Sequence, residues 1–136
     1  MPTSEDTHAD GTVAAAISNG VVRVLHEHTG RGPTKARTEI NPNSVMVLMA
    51  DTLTKGERTL VKDGQRELVL QMRHKFQVAM REDLVAIVEG LTERTVVAFM
   101  SENHIDPDMA AEIFVLHPIS DQPLPAVAAD NSGANR

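Results

Sequence analysis

Residues 30–40 read Gly-Arg-Gly-Pro-Thr-Lys-Ala-Arg-Thr-Glu-Ile, and this stretch decides how the rest of the chain is arranged. Gly30 is a natural helix stop because glycine readily adopts left-handed backbone angles, and Pro33 prevents a new helix from forming. From residue 34 onward, long charged side chains alternate with short or β-branched ones. A period of two predicts a half-buried strand over residues 34–40.

Hydrophobic spacing predicts the elements on both sides of this strand. Residues 44–50 are almost wholly apolar, so we expect this second strand at the sheet centre, covered on both faces or by a partner. Thr54 and Glu57 have the form of a capping box at the start of a short helix. The full set is a helix at 12–28, strands at 34–40 and 44–50, a short helix from the Thr54 cap to 62, a helix at 65–91, and strands at 95–100 and 111–117 with a loop at 103–108.

The element order of helix, hairpin, two helices and hairpin predicts the fold class. Two hairpins joined in one four-stranded antiparallel sheet, with the helices on one side, make an α+β two-layer sandwich. Residues 11–118 form this domain. Residues 1–10 are expected to be a disordered lead and residues 119–136 a disordered tail, since both are polar or rich in small residues.

Composition and charge exclude several classes of protein. The chain has no cysteine, which excludes disulfides and thiolate metal sites, and its net charge of −6 with few aromatics argues against nucleic-acid binding. The charge is uneven, at −3 for residues 1–30, +5 for 31–81 and −8 for 82–136. No apolar run approaches the roughly 18 residues of a membrane span, and no signal peptide is present, so we expect a cytoplasmic protein without direct membrane insertion.

The glycine–proline stretch is the first candidate site. Free backbone amides beside three cations could bind phosphate, bicarbonate or a carboxylate. The residues of this predicted anion site are Arg31, Gly32, Thr34, Lys35 and Arg37. The alternative is a helix C-cap followed by a strand whose charges meet solvent, with Glu39 pairing Arg37.

The second candidate is a weak metal site. His104, Asp106 and Asp108 fall within one loop and carry ligands suited to a hard or borderline cation. The alternative is a tight turn in which Asp and Asn bond neighbouring amides. We expect no cofactor and no catalytic residue, because no serine stands in a nucleophile motif.

Four collinear motifs resemble the MpsC-like family, long catalogued as a bacterial domain of unknown function. The first runs from Ile17-Ser18-Asn19 through the glycine–proline stretch, and the second is Leu53-Thr54 with Glu57-Arg58-Thr59-Leu60. Arg73 with Phe76 forms the third, and residues 96–108 form the fourth. Together the resemblance covers about residues 12–118.

The resemblance implies a small component of a membrane-potential-generating, cation-translocating system that is also tied to inorganic carbon uptake. It implies no established chemistry. We therefore expect a non-enzymatic accessory or regulatory protein, with transporter subunits as partners and a location peripheral to the inner membrane face. A small-anion sensor using the glycine–proline stretch is the alternative, and a metal-dependent or acid–base enzyme comes third. We also expect a homodimer, since the alanines of the first helix allow close approach.

Overall fold

The computed structural model describes the backbone of residues 4–119 and the side chains of residues 11–119. Within that part of the chain it contains three helices and four strands. In chain order they are α1 (Ser4–Thr29), β1 (Lys35–Asn41), β2 (Ser44–Ala50), α2 (Lys55–Lys62), α3 (Arg66–Thr92), β3 (Val96–His104) and β4 (Met109–Leu116). The predicted order of elements is confirmed.

All four strands join in one antiparallel sheet in the order β1-β2-β4-β3. β2 and β4 pair at the centre, so each hairpin supplies one central strand and one edge strand. The predicted α+β class and the predicted central position of β2 are therefore confirmed.

Helices α1 and α3 cover one face of this sheet. Ile17 of α1, Leu84 of α3 and Val47 of β2 are completely buried between the layers with Phe114 of β4. The Phe114 ring also contacts the ring of Phe99, with 5.0 Å between centroids. Because residues alternate between faces along a strand, the remaining side chains of β2 and β4 lie on the side away from these helices.

A smaller apolar cluster joins α2 to one end of the sheet. Leu53, Val69 and Ile105 are buried together there. Val69 belongs to α3, whereas Leu53 and Ile105 lie in the loops that follow β2 and β3. This cluster lies beside the polar residues described below.

Two predicted boundaries are wrong, for identifiable reasons. Helix α1 begins at Ser4 rather than at residue 12, so it includes much of the expected disordered lead. The physical reason is that acidic residues, which occur in this lead, favour a helix N-terminus. Strand β3 continues to His104 because Asn103 and His104 pair with Ala110 and Met109, which shortens the connecting loop. The predicted tail lies outside the described residues from 120 onward.

The end of α1 agrees with the prediction. Gly30 has a φ of +80°, and its N–H donates to the His26 carbonyl at 2.9 Å. This is the left-handed cap that glycine permits. The chain then turns into β1, so the glycine–proline stretch sets the crossing from the helix layer to the sheet.

Candidate functional site

A nearly buried arginine stands at the centre of the polar groups in this protein. Arg73 of α3 donates to both carboxylate oxygens of Glu57, from Nε at 3.0 Å and from Nη2 at 2.9 Å. It also donates to the Thr52 hydroxyl at 3.0 Å, the Thr52 carbonyl at 2.7 Å and Asn103 Oδ1 at 2.9 Å. A guanidinium has five N–H donors, and these five bonds employ them all. We call Thr52, Glu57, Arg73 and Asn103 the Arg73 cluster.

The capping box at the start of α2 places Glu57 for this contact. The Thr54 hydroxyl accepts from the Glu57 N–H at 3.1 Å, and Glu57 Oε1 accepts from the Thr54 N–H at 2.8 Å. The predicted capping box is therefore confirmed. The same Glu57 carboxylate caps α2 and binds α3, so the two helices are joined through one side chain.

Asp108 joins the loop after β2 to the turn between β3 and β4. Its carboxylate accepts from the Thr52 N–H at 3.0 Å, the Thr52 hydroxyl at 2.9 Å and the Leu53 N–H at 3.0 Å. Thr52 therefore bonds to both Asp108 and Arg73. The loop following β2 is held from two sides.

Asp51 receives two further arginines at the edge of the cluster. Arg31 donates to the Asp51 carboxylate at 2.8 Å and to the Asp51 carbonyl at 2.5 Å, and Arg58 donates to the other carboxylate oxygen. The hydrogen bond from Arg31, and then that from the Thr34 hydroxyl, lower the pKa of Asp51 below its usual 3.8. Asp51 has a φ of +59°, a left-handed conformation that aspartate tolerates better than most residues.

The structure separates the residues of the predicted anion site. Arg31 and Thr34 bond to Asp51, whereas Lys35 and Arg37 lie exposed on β1. Arg37 pairs with Glu39 at 2.7 Å, as the alternative interpretation predicted. The three cations therefore do not converge on one pocket, and anion binding at this stretch stays a prediction.

Gly32 has a packing role in the same stretch. A Cβ atom added to it would lie 3.0 Å from Val22 Cγ1 and 3.3 Å from the Val22 carbonyl oxygen. Those distances are shorter than ordinary contacts. The absence of a side chain lets the loop pass close to α1.

The predicted metal residues are placed as a turn. Asp108 bonds to Thr52 and Leu53, and His104 Nδ1 lies 2.8 Å from the Pro107 carbonyl. Asp106 precedes Pro107 across a cis peptide bond and is exposed. In residues 11–119, no group of three or more His, Asp or Glu side chains could hold a metal ion.

Glu112 is the residue that sequence reasoning missed. It lies in β4 between Ala110 and Phe114 on the helix-facing side of the sheet and is 3 % exposed. Burial raises the pKa of Glu112 from 4.5 to about 7, although hydrogen bonding from the Ser101 hydroxyl opposes the shift. The available signal was one acidic residue in a strand whose other alternate positions are apolar.

A small cavity separates Glu112 from the Arg73 cluster. Its volume is about 40 Å³, and Glu112, Arg73 and Asn103 line it with Gln77 and Met80. One water molecule needs roughly 10–15 Å³ of volume measured in this way, so the cavity has room for more than one water. The arrangement is suited to bracing the loops and helices around Arg73.

All four sequence motifs meet in this region. Arg31 comes from the first motif, Glu57 and Arg58 from the second, Arg73 from the third, and Asn103 and Asp108 from the fourth. The fold and the site thus define a three-helix, four-stranded α+β domain braced at one end of its sheet by arginine–carboxylate contacts, of which Arg73–Glu57 is nearly buried.

Residues 9–118 match the family model described as "Na+-translocating membrane potential-generating system (MpsC)". The match covers most of the chain, and the protein belongs to the MpsC family, which confirms the resemblance. No curated protein and no solved structure matches the chain. None of the described helices has a stretch long and apolar enough to cross a bilayer.

Proposed function

We propose that the protein is a non-enzymatic accessory or regulatory component of a Na⁺-translocating, membrane-potential-generating system. The observation that carries this proposal is the family match over residues 9–118. In this role the protein binds membrane-embedded components and does not itself carry ions. It works on the cytoplasmic side, held at the inner membrane through those partners, in a system linked to inorganic carbon uptake.

The internal bonding of the Arg73 cluster supports a binding role over a catalytic one. The guanidinium of Arg73 uses all its donors within the chain, and Glu57 accepts from Arg73 and from the cap of its own helix. Side chains whose polar groups are bonded within the chain in this way stabilise the local structure. General acid–base chemistry instead needs a group that can reach a substrate proton.

The exposed side of α3 supplies a surface for the membrane partner. Leu68, Lys75 and Val78 recur at helical spacing on that side, and the Leu68 and Val78 side chains are 41 % and 64 % exposed. Arg81 adds positive charge beside this stripe, and Glu82, seven residues after Lys75, places one negative charge on it. Exposed apolar residues beside basic ones suit an acidic, partly apolar segment of a partner protein.

Co-purification tests the proposal. Tagged protein isolated from gently solubilised membranes of its source organism should retain Na⁺-translocating membrane components. We expect the double variant Lys75→Glu, Val78→Glu to lower their recovery at least several-fold, because it places negative charge on the binding stripe.

The matched control is Arg23→Glu, a charge reversal on the exposed side of α1 in the same helix layer. It should leave recovery unchanged, and both proteins should melt at the wild-type temperature. Wild-type protein that carries no such membrane component, or equal losses in the two variants, would contradict the proposal.

A further inference from the structure

The face of the sheet that turns away from α1 and α3 has an apolar centre, and we call it the open face. No helix of the described residues covers it. An antiparallel sheet with one face in water normally places polar residues there. Here the outward, half-buried positions of the two central strands are apolar apart from Ser44, and they are held by Met46, Leu48, Ala50, Met109, Ala111, Ile113 and Val115.

Charges on the open face are confined to its two edges. Strand β1 presents Lys35, Arg37 and Glu39, a net charge of +1 from two cations and one acid. Strand β3 presents Glu102 and His104, a net charge of −1 with the histidine neutral. The edges thus carry opposite charge on either side of an apolar centre.

The strand register sets these residues in rows across the sheet. One middle row runs Arg37, Leu48, Ala111 and Glu102 from the β1 edge to the β3 edge. The next row runs Glu39, Met46, Ile113 and Met100. Each row has a polar residue at the β1 end and apolar residues at the centre.

We propose that the open face is an interface between two copies of this chain, related by a two-fold axis parallel to the strands. Such an axis places β1 of one copy over β3 of the other and β2 over β4. Stacked sheets lie about 10 Å apart with strands crossing at about 30°. The apolar centres meet, and each positive edge faces a negative edge.

The middle rows give this arrangement a specific contact. Arg37 comes opposite Glu102 of the second copy, and the symmetry makes this pair twice. Glu102 has no ion pair within residues 11–119, and the Arg37 side chain is 75 % exposed. Arg37 can therefore bond its own Glu39 and the Glu102 of the second copy together. The same rotation sets Lys35 opposite His104.

Two alternatives fit the observations less well. An axis across the strands would place β1 over β1 and β3 over β3, so that Arg37 would meet Glu39 but Glu102 would meet Met100 and remain without an ion pair. A contact through α1, which the alanines of that helix first suggested, lacks an apolar stripe because Ile17, Val21 and Val24 are buried inside the protein.

The size of the face predicts a dimer that depends on concentration. Four rows of four residues give sixteen positions in each copy. A standard stable interface uses roughly 20–30 residues a side. We therefore expect dissociation in the micromolar range.

Sedimentation velocity over a concentration series tests the proposal through charge reversal. Wild-type protein should pass from monomer to dimer as its concentration rises. Arg37→Glu and Glu102→Arg, made singly, should each raise the dissociation constant by about tenfold, since each sets like charges opposite one another at two places. The double variant should return to the wild-type constant. Neither residue lies in the core, so all variants should keep the wild-type melting temperature at low concentration.

Two further variants complete the experiment. Ile113→Lys introduces charge at the centre and should abolish the dimer, whereas the control Lys62→Glu on α2 should leave it unchanged. The proposal is overturned if wild-type protein stays monomeric at all concentrations, or if the single reversals leave the dimer intact. It is also overturned if the double variant Arg37→Glu, Glu39→Arg restores dimerisation to the same extent as the double variant Arg37→Glu, Glu102→Arg. That result would indicate that β1 of one copy lies over β1 of the other.

A shortened chain tests the competing occupant. If residues 120–136 cover the open face, the full chain is monomeric and its deletion variant dimerises. That outcome would overturn the proposal. We expect the full and shortened chains to dimerise with the same constant.

Discussion

Replacing Arg73 by alanine is expected to lower the free energy of unfolding by about 3–5 kcal/mol, the usual cost of removing one partner from a buried ion pair. The substitution leaves the Glu57 carboxylate buried without its counter-ion and removes five hydrogen bonds. Chemical denaturation followed by circular dichroism measures the change. Because typical domains are stable by only about 5–15 kcal/mol, this loss is a large share of the total stability, and the denaturation midpoint should fall clearly.

Two variants separate this effect from loss of positive charge alone. Lys75→Ala removes a cation two residues away on the exposed side of the same helix and should change stability by less than about 0.5 kcal/mol. Arg73→Lys keeps the charge but cannot make the two-pronged contact with Glu57, so it should lose much of the stability. A loss below about 1 kcal/mol for Arg73→Ala would show that the cluster does not brace the fold.

Replacing Glu112 by glutamine is expected to remove a pH dependence of stability. Burial raises the folded-state pKa of Glu112 from 4.5 to about 7, so the folded protein binds a proton that the unfolded chain releases across this interval. The unfolding free energy contributed by this group is therefore greatest below pH 4.5 and falls as pH rises to about 7. The total change is about 3 kcal/mol, at 1.36 kcal/mol for each pKa unit.

Urea denaturation of wild-type protein and Glu112→Gln at closely spaced pH values checks this expectation. The control Glu27→Gln changes an exposed carboxylate on α1 and should keep the wild-type slope. Asp51 acts in the opposite sense, because its lowered pKa gives stability that is lost as pH falls below about 3.8. Its contribution thus falls outside the interval that Glu112 governs. Identical slopes for wild-type protein and Glu112→Gln would show that Glu112 is not the source.

Hydrophobic spacing was sufficient to predict the sheet and helix layers. The central position of β2 followed from its continuous apolar run, and the start of α2 followed from the Thr54–Glu57 pattern, since both signals are local. The extent of β3 could not be predicted from such local signals. Asn103 and His104 favour loops by composition, but pairing with β4 holds them in the strand, and pairing between strands is not a local property.

The site was less predictable because its contacts join distant parts of the chain. Arg31 was interpreted as an anion ligand from its neighbours in sequence, yet it bonds to Asp51, twenty residues away. Arg73 entered through the family resemblance, and its contact with Asn103 spans thirty residues. Helical periodicity alone gave no reason to choose Arg73 over the other basic residues of α3.

The most direct test of the proposed function is the Na⁺-dependent membrane potential of cells that lack this protein. A potential-sensitive dye would compare deletion cells with deletion cells that produce wild-type protein or the Lys75→Glu, Val78→Glu variant. We expect the Na⁺-dependent part of the potential to fall in the deletion cells, to return with wild-type protein, and to stay low with the variant. An unchanged Na⁺-dependent potential in the deletion cells, while the membrane components are still produced, would contradict the account.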